Sequence, residues 1–488
     1  MKGVLRWRTV RWVLAAAALP VIWACNSPPL APPSPAPERT VEQVFQAAVN
    51  RDIDILFMVD NSLSMAPLQD KLTANFPVFM NTLSGLPGGL PNVHIAVVSS
   101  DLGAGPTAPV PNCLVGGGSQ GGKFQSTPRI AGCTSGLGPN DHYFSSINGM
   151  ANFTGDIATD FACVAKLGQS GCGFEHQFAS YLRALEPGPL QPPENVGFLR
   201  PDAFLSVILI TNEDDCSAPP DSGLFDTASM TVADPLGPLA SFRCNEFGHL
   251  CNGKKPPRTP AVLDNCVSAE DGQLLRVADV VARTKKLKNN DTSKIIVAAV
   301  TGDFKPYGMP LPYEVIIPDD ALAQAQGYVG GVPNIKHSCY NPNDNTYGDP
   351  SVRISEWVTA FGGTFVSICN DTFKPALTQI AMAIGAAIGP QCVAGKLVDS
   401  DLKTDGLQPE CVVTDVGTDA NGKKTETLIH SCAADPAMPC WTVMPNSQTC
   451  MNGGNLVNVM RTDKPSNVNT SVQCAVCITG VSNPGCNY

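Results

Sequence analysis

Between residues 50 and 390, strand-like and helix-like patterns of apolar residues alternate along the chain. Short unbroken apolar runs, which are typical of strands buried on both faces, occur at 54–59, 93–99, 204–211, 295–300 and 363–368. Apolar residues at helical spacing occur at 68–86, within 152–185, and at 274–287, 354–361 and 374–388. This alternation predicts an α/β fold with a doubly wound, mostly parallel sheet.

Cysteine-rich segments interrupt and follow this pattern. Two long irregular insertions, at about 101–145 and 213–270, each contain cysteines that could restrain them. Residues 391–488 hold eight cysteines and no long helical pattern. We therefore predict one α/β domain at 46–390 and a separate disulfide-rich region at 391–488.

The N-terminus has the pattern of an export signal. Basic residues precede an apolar stretch that ends at Cys25, and Val21 to Cys25 resembles a bacterial lipobox, where the cysteine is lipidated. The proline-rich residues 26–45 suit an extended tether behind such an anchor. We predict a lipoprotein signal peptide at 1–25 and attachment to a membrane through Cys25, and the alternative is an ordinary secretory signal.

The composition of the chain bears on its cellular compartment and on the kind of partner it binds. The chain has 488 residues, a formal net charge of −11 and no sustained basic run beyond its first dozen residues, which argues against nucleic acid as a partner. It has 19 cysteines, and lipidation of Cys25 would leave 18, an even number that suits disulfides in an oxidising compartment. We predict a location in the bacterial cell envelope, at the outer membrane or at the periplasmic face, and the choice between the inner and the outer membrane stays open.

The most specific candidate chemistry follows the first predicted strand. Asp60, Ser62 and Ser64 form a D-x-S-x-S pattern directly after the apolar run at 54–59. A carboxylate and two hydroxyls at alternate positions of a turn can converge on Mg²⁺, which prefers oxygen ligands. The alternative is a serine-rich turn that caps the next helix.

This motif resembles the first element of the metal-ion-dependent adhesion site of von Willebrand factor A domains. The resemblance covers roughly residues 50–390 and implies a domain that binds a carboxylate of a protein partner through Mg²⁺, or Mn²⁺ or Ca²⁺. It also implies further metal contacts from Ser170, or equally Gln169, in a second loop, and from Asn212 after the run at 204–211. Asn212 stands where the family has an aspartate, so the site has less charge than the family pattern.

An acidic cluster follows Asn212. Glu213, Asp214 and Asp215 could compensate for the missing aspartate or bind a neighbouring cation, and Asp214 is our candidate ligand among them. A solvated loop is the equal alternative. A disulfide between Cys172 and Cys216 would fix the rim of the site and is a further hypothesis.

We therefore predict an envelope lipoprotein that binds a protein through a metal-ion-dependent adhesion-type site. The alternative is a structural or interaction protein of the envelope with a degenerate metal site. Enzymatic activity is not expected, because the six scattered histidines form no recognisable catalytic set and Glu175-His176 lacks zinc-protease spacing.

Overall fold

The computed structural model describes residues 40–46, 51–86, 89–104, 110, 113, 120–219, 222–304, 311–388, 392–393, 395–418, 424–444, 454–462, 468–477 and 484–486. The predicted signal peptide, its Cys25 and the predicted tether up to residue 39 lie outside these residues.

The helices of the described residues are α1 (Ala66–Ser84), α2 (Ile157–Ala165), α3 (Gln177–Leu185), α4 (Phe242–Gly248), α5 (Val277–Lys286), α6 (Asp320–Gln326), α7 (Val352–Ala360) and α8 (Lys374–Ile388). The strands are β1 (Thr40–Gln46), β2 (Asp52–Val59), β3 (Asn92–Ser99), β4 (Phe144–Ile147), β5 (Met150–Ala151), β6 (Phe204–Ile210), β7 (His249–Cys251), β8 (Ala261–Leu263), β9 (Cys266–Ser268), β10 (Ile295–Thr301), β11 (Tyr313–Ile316), β12 (Asn334–Ile335), β13 (Cys339–Asn341), β14 (Thr346–Gly348), β15 (Thr364–Ser367), β16 (Cys392–Val393), β17 (Cys411–Thr418), β18 (Lys424–Ser431), β19 (Cys440–Met444), β20 (Asn455–Met460) and β21 (Val468–Ala475).

The main sheet is mostly parallel, as the sequence predicts. Within the described part of the chain its seven strands lie in the order β15-β10-β6-β2-β3-β4-β5. The first five strands in this order are mutually parallel, and β4 and β5 add an antiparallel ribbon at one edge. Because β3 and β6 lie on opposite sides of β2, the chain changes direction at β2, which is where open parallel sheets form a binding crevice.

Helices cover both faces of this sheet, which explains the continuous apolar strands. Along β2, Ile55, Phe57 and Val59 face a core shared with α1, α2 and α8. Leu56 and Met58 face a second core shared with α3, α5 and α7. Burying each such side chain contributes about 1.5–3 kcal/mol, so the two cores hold β2 rigidly beneath the loop that follows it.

Disulfides restrain the two predicted insertions. The bonds in and around them are Cys113–Cys172, Cys133–Cys163, Cys216–Cys244 and Cys251–Cys266. The hypothesised Cys172–Cys216 bond is therefore wrong. The two cysteines do belong to one buried cluster. However, Cys172 is bonded to Cys113 in the first insertion, and Cys216 is bonded to Cys244 within the second insertion.

The C-terminal region forms a second sheet. In the described residues its order is β1-β21-β17-β18-β19-β20-β16, and neighbouring strands are antiparallel except β18 and β19. Residues 40–46, which we assigned to the tether and the domain start, thus pair with β21 instead of standing alone.

The second sheet also contains disulfides. The disulfides here are Cys411–Cys474, Cys432–Cys440 and Cys477–Cys486. A further disulfide, Cys339–Cys369, joins β13 to the segment after β15. Such a density of disulfides indicates an oxidising compartment, as predicted. None of the described helices has the length and hydropathy required to cross a bilayer.

Candidate functional site

Asp60 begins the loop that leaves the central strand. Its backbone N–H donates to the carbonyl of Ile210, 2.9 Å away, which ties the start of the loop to the end of β6. Its fully buried carboxylate accepts hydrogen bonds from the Ser62 N–H at 2.8 Å and the Thr211 hydroxyl at 2.7 Å. The Ser100 hydroxyl, just beyond β3, donates to it at 3.3 Å. Three strand ends thus fix the orientation of one carboxylate.

The other predicted oxygens of the first loop converge beside it. The Ser62 and Ser64 hydroxyl oxygens lie 3.4 Å apart, and the Ser64 hydroxyl donates to the Asn212 side-chain oxygen at 3.0 Å. Mg²⁺ binds six oxygens at about 2.1 Å, so adjacent ligands of an octahedron lie about 3.0 Å apart. The spacing of these oxygens therefore fits neighbouring positions around one small cation.

The second loop approaches the first through a glycine. The Gly171 N–H donates to the Asn61 carbonyl at 2.9 Å, and a Cβ at Gly171 would lie only 2.2 Å from the Asn61 side-chain oxygen. Gln69 of α1 bonds both the Asp60 carbonyl, at 2.8 Å, and the Gly168 carbonyl, at 2.9 Å. Only a residue without a side chain permits this approach of the two loops.

The side chains predicted from the second loop are placed differently from those of the first. Ser170 and Gln169 are both exposed. Neither makes a hydrogen bond to Asp60, Ser62 or Ser64 among the interactions of the described residues. The structure therefore brings the backbone of this loop to the site, and a metal contact from Ser170 stays a prediction.

Asp214 is occupied by other groups. Its carboxylate accepts from His249 Nε2 at 2.8 Å and from the backbone N–H groups of Arg353 and Ile354 at 2.9 and 3.1 Å, near the start of α7. Asp214 is 5% exposed and Asp215 only 1%, so the solvated-loop alternative is wrong for both. Asp215 pairs with the buried Arg353 guanidinium at 3.1 Å. Both aspartates therefore join separate segments of the fold.

Two acids that we did not select lie at the same edge. Glu175 is 1% exposed, and one of its carboxylate oxygens is buried without a hydrogen-bond partner. Burial, followed by the charges of Glu213, Asp60 and Asp349, raises the pKa of Glu175 well above its usual value. Burial, Asp349 and Asp60 raise the pKa of Glu213 to about 8. The edge therefore concentrates carboxyl groups that repel one another.

Further buried polar atoms in the same loops lack partners. They are the side-chain oxygen of Asn61 and the side-chain nitrogen of Asn212. Leaving a buried polar atom unpaired costs about 1–3 kcal/mol, so such atoms call for an explanation such as a bound ion or water. Carboxylate, hydroxyl and amide oxygens are also the donors that Mg²⁺ and Ca²⁺ prefer, and the donor set fits such an ion.

The described residues contain no cluster of three or more His, Cys, Asp or Glu side chains arranged to hold a metal. A cation at this edge would consequently depend on serine and asparagine oxygens as much as on Asp60. That composition favours a hard ion such as Mg²⁺ over a transition metal that needs histidine or cysteine.

Comparisons with known proteins do not identify a family. No protein-family profile and no curated protein matches this chain. Among solved structures, the chain is similar to the pilus adhesin SpaC of Lactobacillus rhamnosus GG in its open conformation. That match has 12% identity and a TM-score of 0.28, and it covers 89% of this chain and 40% of SpaC.

Two further solved structures are similar to a comparable degree. The human COPII-coat protein Sec24c has 7% identity and a TM-score of 0.26, over 90% of this chain and 42% of Sec24c. The adhesive tip pilin GBS104 of Group B Streptococcus agalactiae has 9% identity and a TM-score of 0.23, over 91% of this chain and 82% of the pilin. The chain thus spans less than half of SpaC and Sec24c. TM-scores this low carry no argument about fold or function.

Proposed function

We propose that the protein is a lipid-anchored protein of the bacterial cell envelope that binds a partner protein through a divalent cation. The cation, Mg²⁺ or alternatively Mn²⁺ or Ca²⁺, would be held by Asp60, Ser62, Ser64 and Asn212. The observation that carries this proposal is the 3.0–3.4 Å spacing of the Ser62, Ser64 and Asn212 oxygens beside the Asp60 carboxylate. The role is binding rather than catalysis.

The proposed fold of the sheet domain is of the von Willebrand factor A type. Supporting this proposal, β2 occupies the centre of a parallel sheet with helices on both faces, and the D-x-S-x-S loop begins at its carboxyl end. The antiparallel β4 lies at the edge beside β3. The family resemblance then accounts for the position of the loop as well as its residues.

The residues at this site would contribute to binding in different ways. Hydrogen bonds from Ser62, Ser100 and Thr211 keep the Asp60 carboxylate oriented. When bound, the cation would supply the positive charge that attracts a carboxylate of the partner. Without it, no positive charge among the described groups at this site would attract that carboxylate. Leu63, which is 75% exposed, offers an apolar contact beside the open side of the loop.

Calorimetric titration of the purified oxidised protein with Mg²⁺, Mn²⁺ and Ca²⁺ tests this proposal. We expect one cation per chain, and we expect Asp60→Asn and the double variant Ser62→Ala with Ser64→Ala each to abolish its binding. Asp264→Asn, which removes an exposed carboxylate elsewhere, is the matched control and should bind as the wild type does. Ser170→Ala asks whether the second loop adds a ligand. Wild-type protein that takes up none of the three cations would refute the proposal.

The proposed anchor has its own test. Cys25→Ser should release the protein from the membrane fraction into a soluble fraction, because two acyl chains bind a bilayer far more strongly than a peptide tether does. A protein that stays with the membrane after this change is held by something else.

The second candidate is an envelope interaction protein with a degenerate metal site. Asn212 favours it, because an amide brings no charge to the position where the family has an aspartate. On this alternative the raised pKa values of Glu175 and Glu213 keep both acids protonated and a cation is not needed. The titration above decides between the two.

A further inference from the structure

A half-open cavity of about 530 Å³ lies against one side of α3, and none of the residues proposed to hold the cation lines it. Its wall includes Leu102, Phe225 and Leu275, together with Pro187 and Pro189. Ligand sites of small molecules usually measure about 300–1,000 Å³ and are lined mainly by apolar groups. The size and the lining of this cavity are therefore those of a small-molecule site.

The positive and negative charges of the wall are unequal in number. Arg283 and Glu186 neutralise each other through a two-point ion pair, with Arg283 Nε 2.8 Å from the carboxylate. Arg183 also lines the cavity and is half-buried. The described residues give Arg183 no ion pair. The described wall thus contains two guanidinium groups and one carboxylate, which leaves one positive charge without a counter-charge.

The side chain of His176 lies in the same wall. His176, which is 5% exposed, donates from Nε2 to the Gly103 carbonyl at 2.8 Å. Its Nδ1 is buried and has no partner. Burial lowers the pKa of His176 to about 4, so the ring is neutral at pH 7 and adds no positive charge to the wall.

The first N–H groups of α3 do not compete for an anion here. The Phe178 N–H donates to Asp215 at 2.9 Å, and the Ala179 N–H donates to the Ser217 hydroxyl at 2.8 Å. Among the described charged residues that line the cavity, Arg183 is the one without an ion pair, and it can bind an anion.

We propose that this cavity binds a small amphipathic molecule with an apolar body and one carboxylate, the carboxylate pairing with Arg183. The body would contact apolar residues of the wall such as Phe225 and Leu275. An Arg–carboxylate pair that is partly shielded from water is stronger than one on the surface. This proposal does not depend on a cation at Asp60.

Octanoate is the probe, because it has an aliphatic body and one carboxylate. Octan-1-ol has the same body without the charge, and acetate has the charge without the body. Calorimetric titration of the wild-type protein should show octanoate binding roughly tenfold or more tighter than either comparison compound.

Two variants change the cavity in different ways. Arg183→Gln should weaken octanoate roughly tenfold or more while leaving octan-1-ol unchanged. Ala179→Phe, which fills space at the cavity wall, should block both. Arg276→Gln is the matched control, because Arg276 is exposed and pairs with Asp279 on the surface.

Each outcome decides the proposal. Octanoate that binds no better than octan-1-ol, or equally well to wild-type protein and the Arg183→Gln variant, would overturn it, and so would absence of octanoate binding. Should Arg183→Gln fail to fold, the comparison of octanoate with octan-1-ol on the wild-type protein still decides.

Discussion

The acids at the carboxyl edge of the sheet should make the protein less stable as pH rises. Glu213 is the best probe, because it is half-buried and its pKa is raised from 4.5 to about 8 by burial and by Asp349 and Asp60. A carboxyl with a raised folded-state pKa costs no stability below pH 4.5, where it is protonated in both states. Between pH 4.5 and 8 the unfolded chain ionises first, so stability is progressively lost.

The magnitude follows from that rise. One pKa unit corresponds to about 1.4 kcal/mol, so a rise from 4.5 to about 8 sets a ceiling of about 5 kcal/mol. Solvent screens part of this cost for a half-buried side chain, and we expect about 1–2 kcal/mol. Glu213→Gln should therefore raise the free energy of unfolding by that amount at pH 8.5 and by almost nothing at pH 4.

Urea denaturation of the oxidised protein at both pH values, without divalent cations, measures this difference. Asp264→Asn is the control for removing one negative charge, since Asp264 is exposed. A Glu213→Gln variant that is no more stable than wild type at pH 8.5, or whose gain is equal at both pH values, would show that the site does not hold Glu213 under electrostatic strain.

Three further changes test the packing, the ion pair and the disulfide around the site. In each case the free energy of unfolding is measured by urea denaturation at pH 7. Phe57→Ala should cost about 3–5 kcal/mol, because Phe57 is fully buried among aromatic rings of α1 and α2; a cost below 1 kcal/mol would contradict the packing. Arg353→Met should cost about 3–5 kcal/mol, because it leaves the buried Asp215 carboxylate unpaired; Asp215→Asn made together with it should recover part of that loss. Replacing Cys113 and Cys172 with serine should cost about 2–4 kcal/mol, and no change in stability would argue that the bond is absent.

The sequence predicts the strands well because burial on both faces leaves an unambiguous pattern. The run at 54–59 is found as β2, Asp52–Val59, and the run at 204–211 as β6, Phe204–Ile210. A strand covered by helices on both sides has no polar face, so its apolar run marks its position in the sequence. The first loop of the site follows, because it starts where β2 ends.

Contacts between distant loops could not be predicted in this way. The partner of Cys172 depends on how the insertion folds over the sheet, and apolar periodicity contains no information about that path. Asp214 was selected for its place beside Asn212, whereas its partners His249 and Arg353 come from positions far along the chain. Glu175 was missed because nothing local marks a glutamate that tertiary packing buries among other acids.

A buried aspartate lies near each end of β2, and the two differ in the groups that surround the carboxylate. At the amino end, Asp54 accepts from Arg200 Nε at 2.7 Å, and Lys288 Nζ lies 3.5 Å away, so its charge is matched. At the carboxyl end, Asp60 is equally buried, yet the described residues surround it with hydroxyl and N–H donors and give it no ion pair. Hydrogen bonds orient a carboxylate without neutralising it. A buried carboxylate that is held in place beside two hydroxyls, with no cationic side chain to neutralise it, has an environment that an added cation would stabilise.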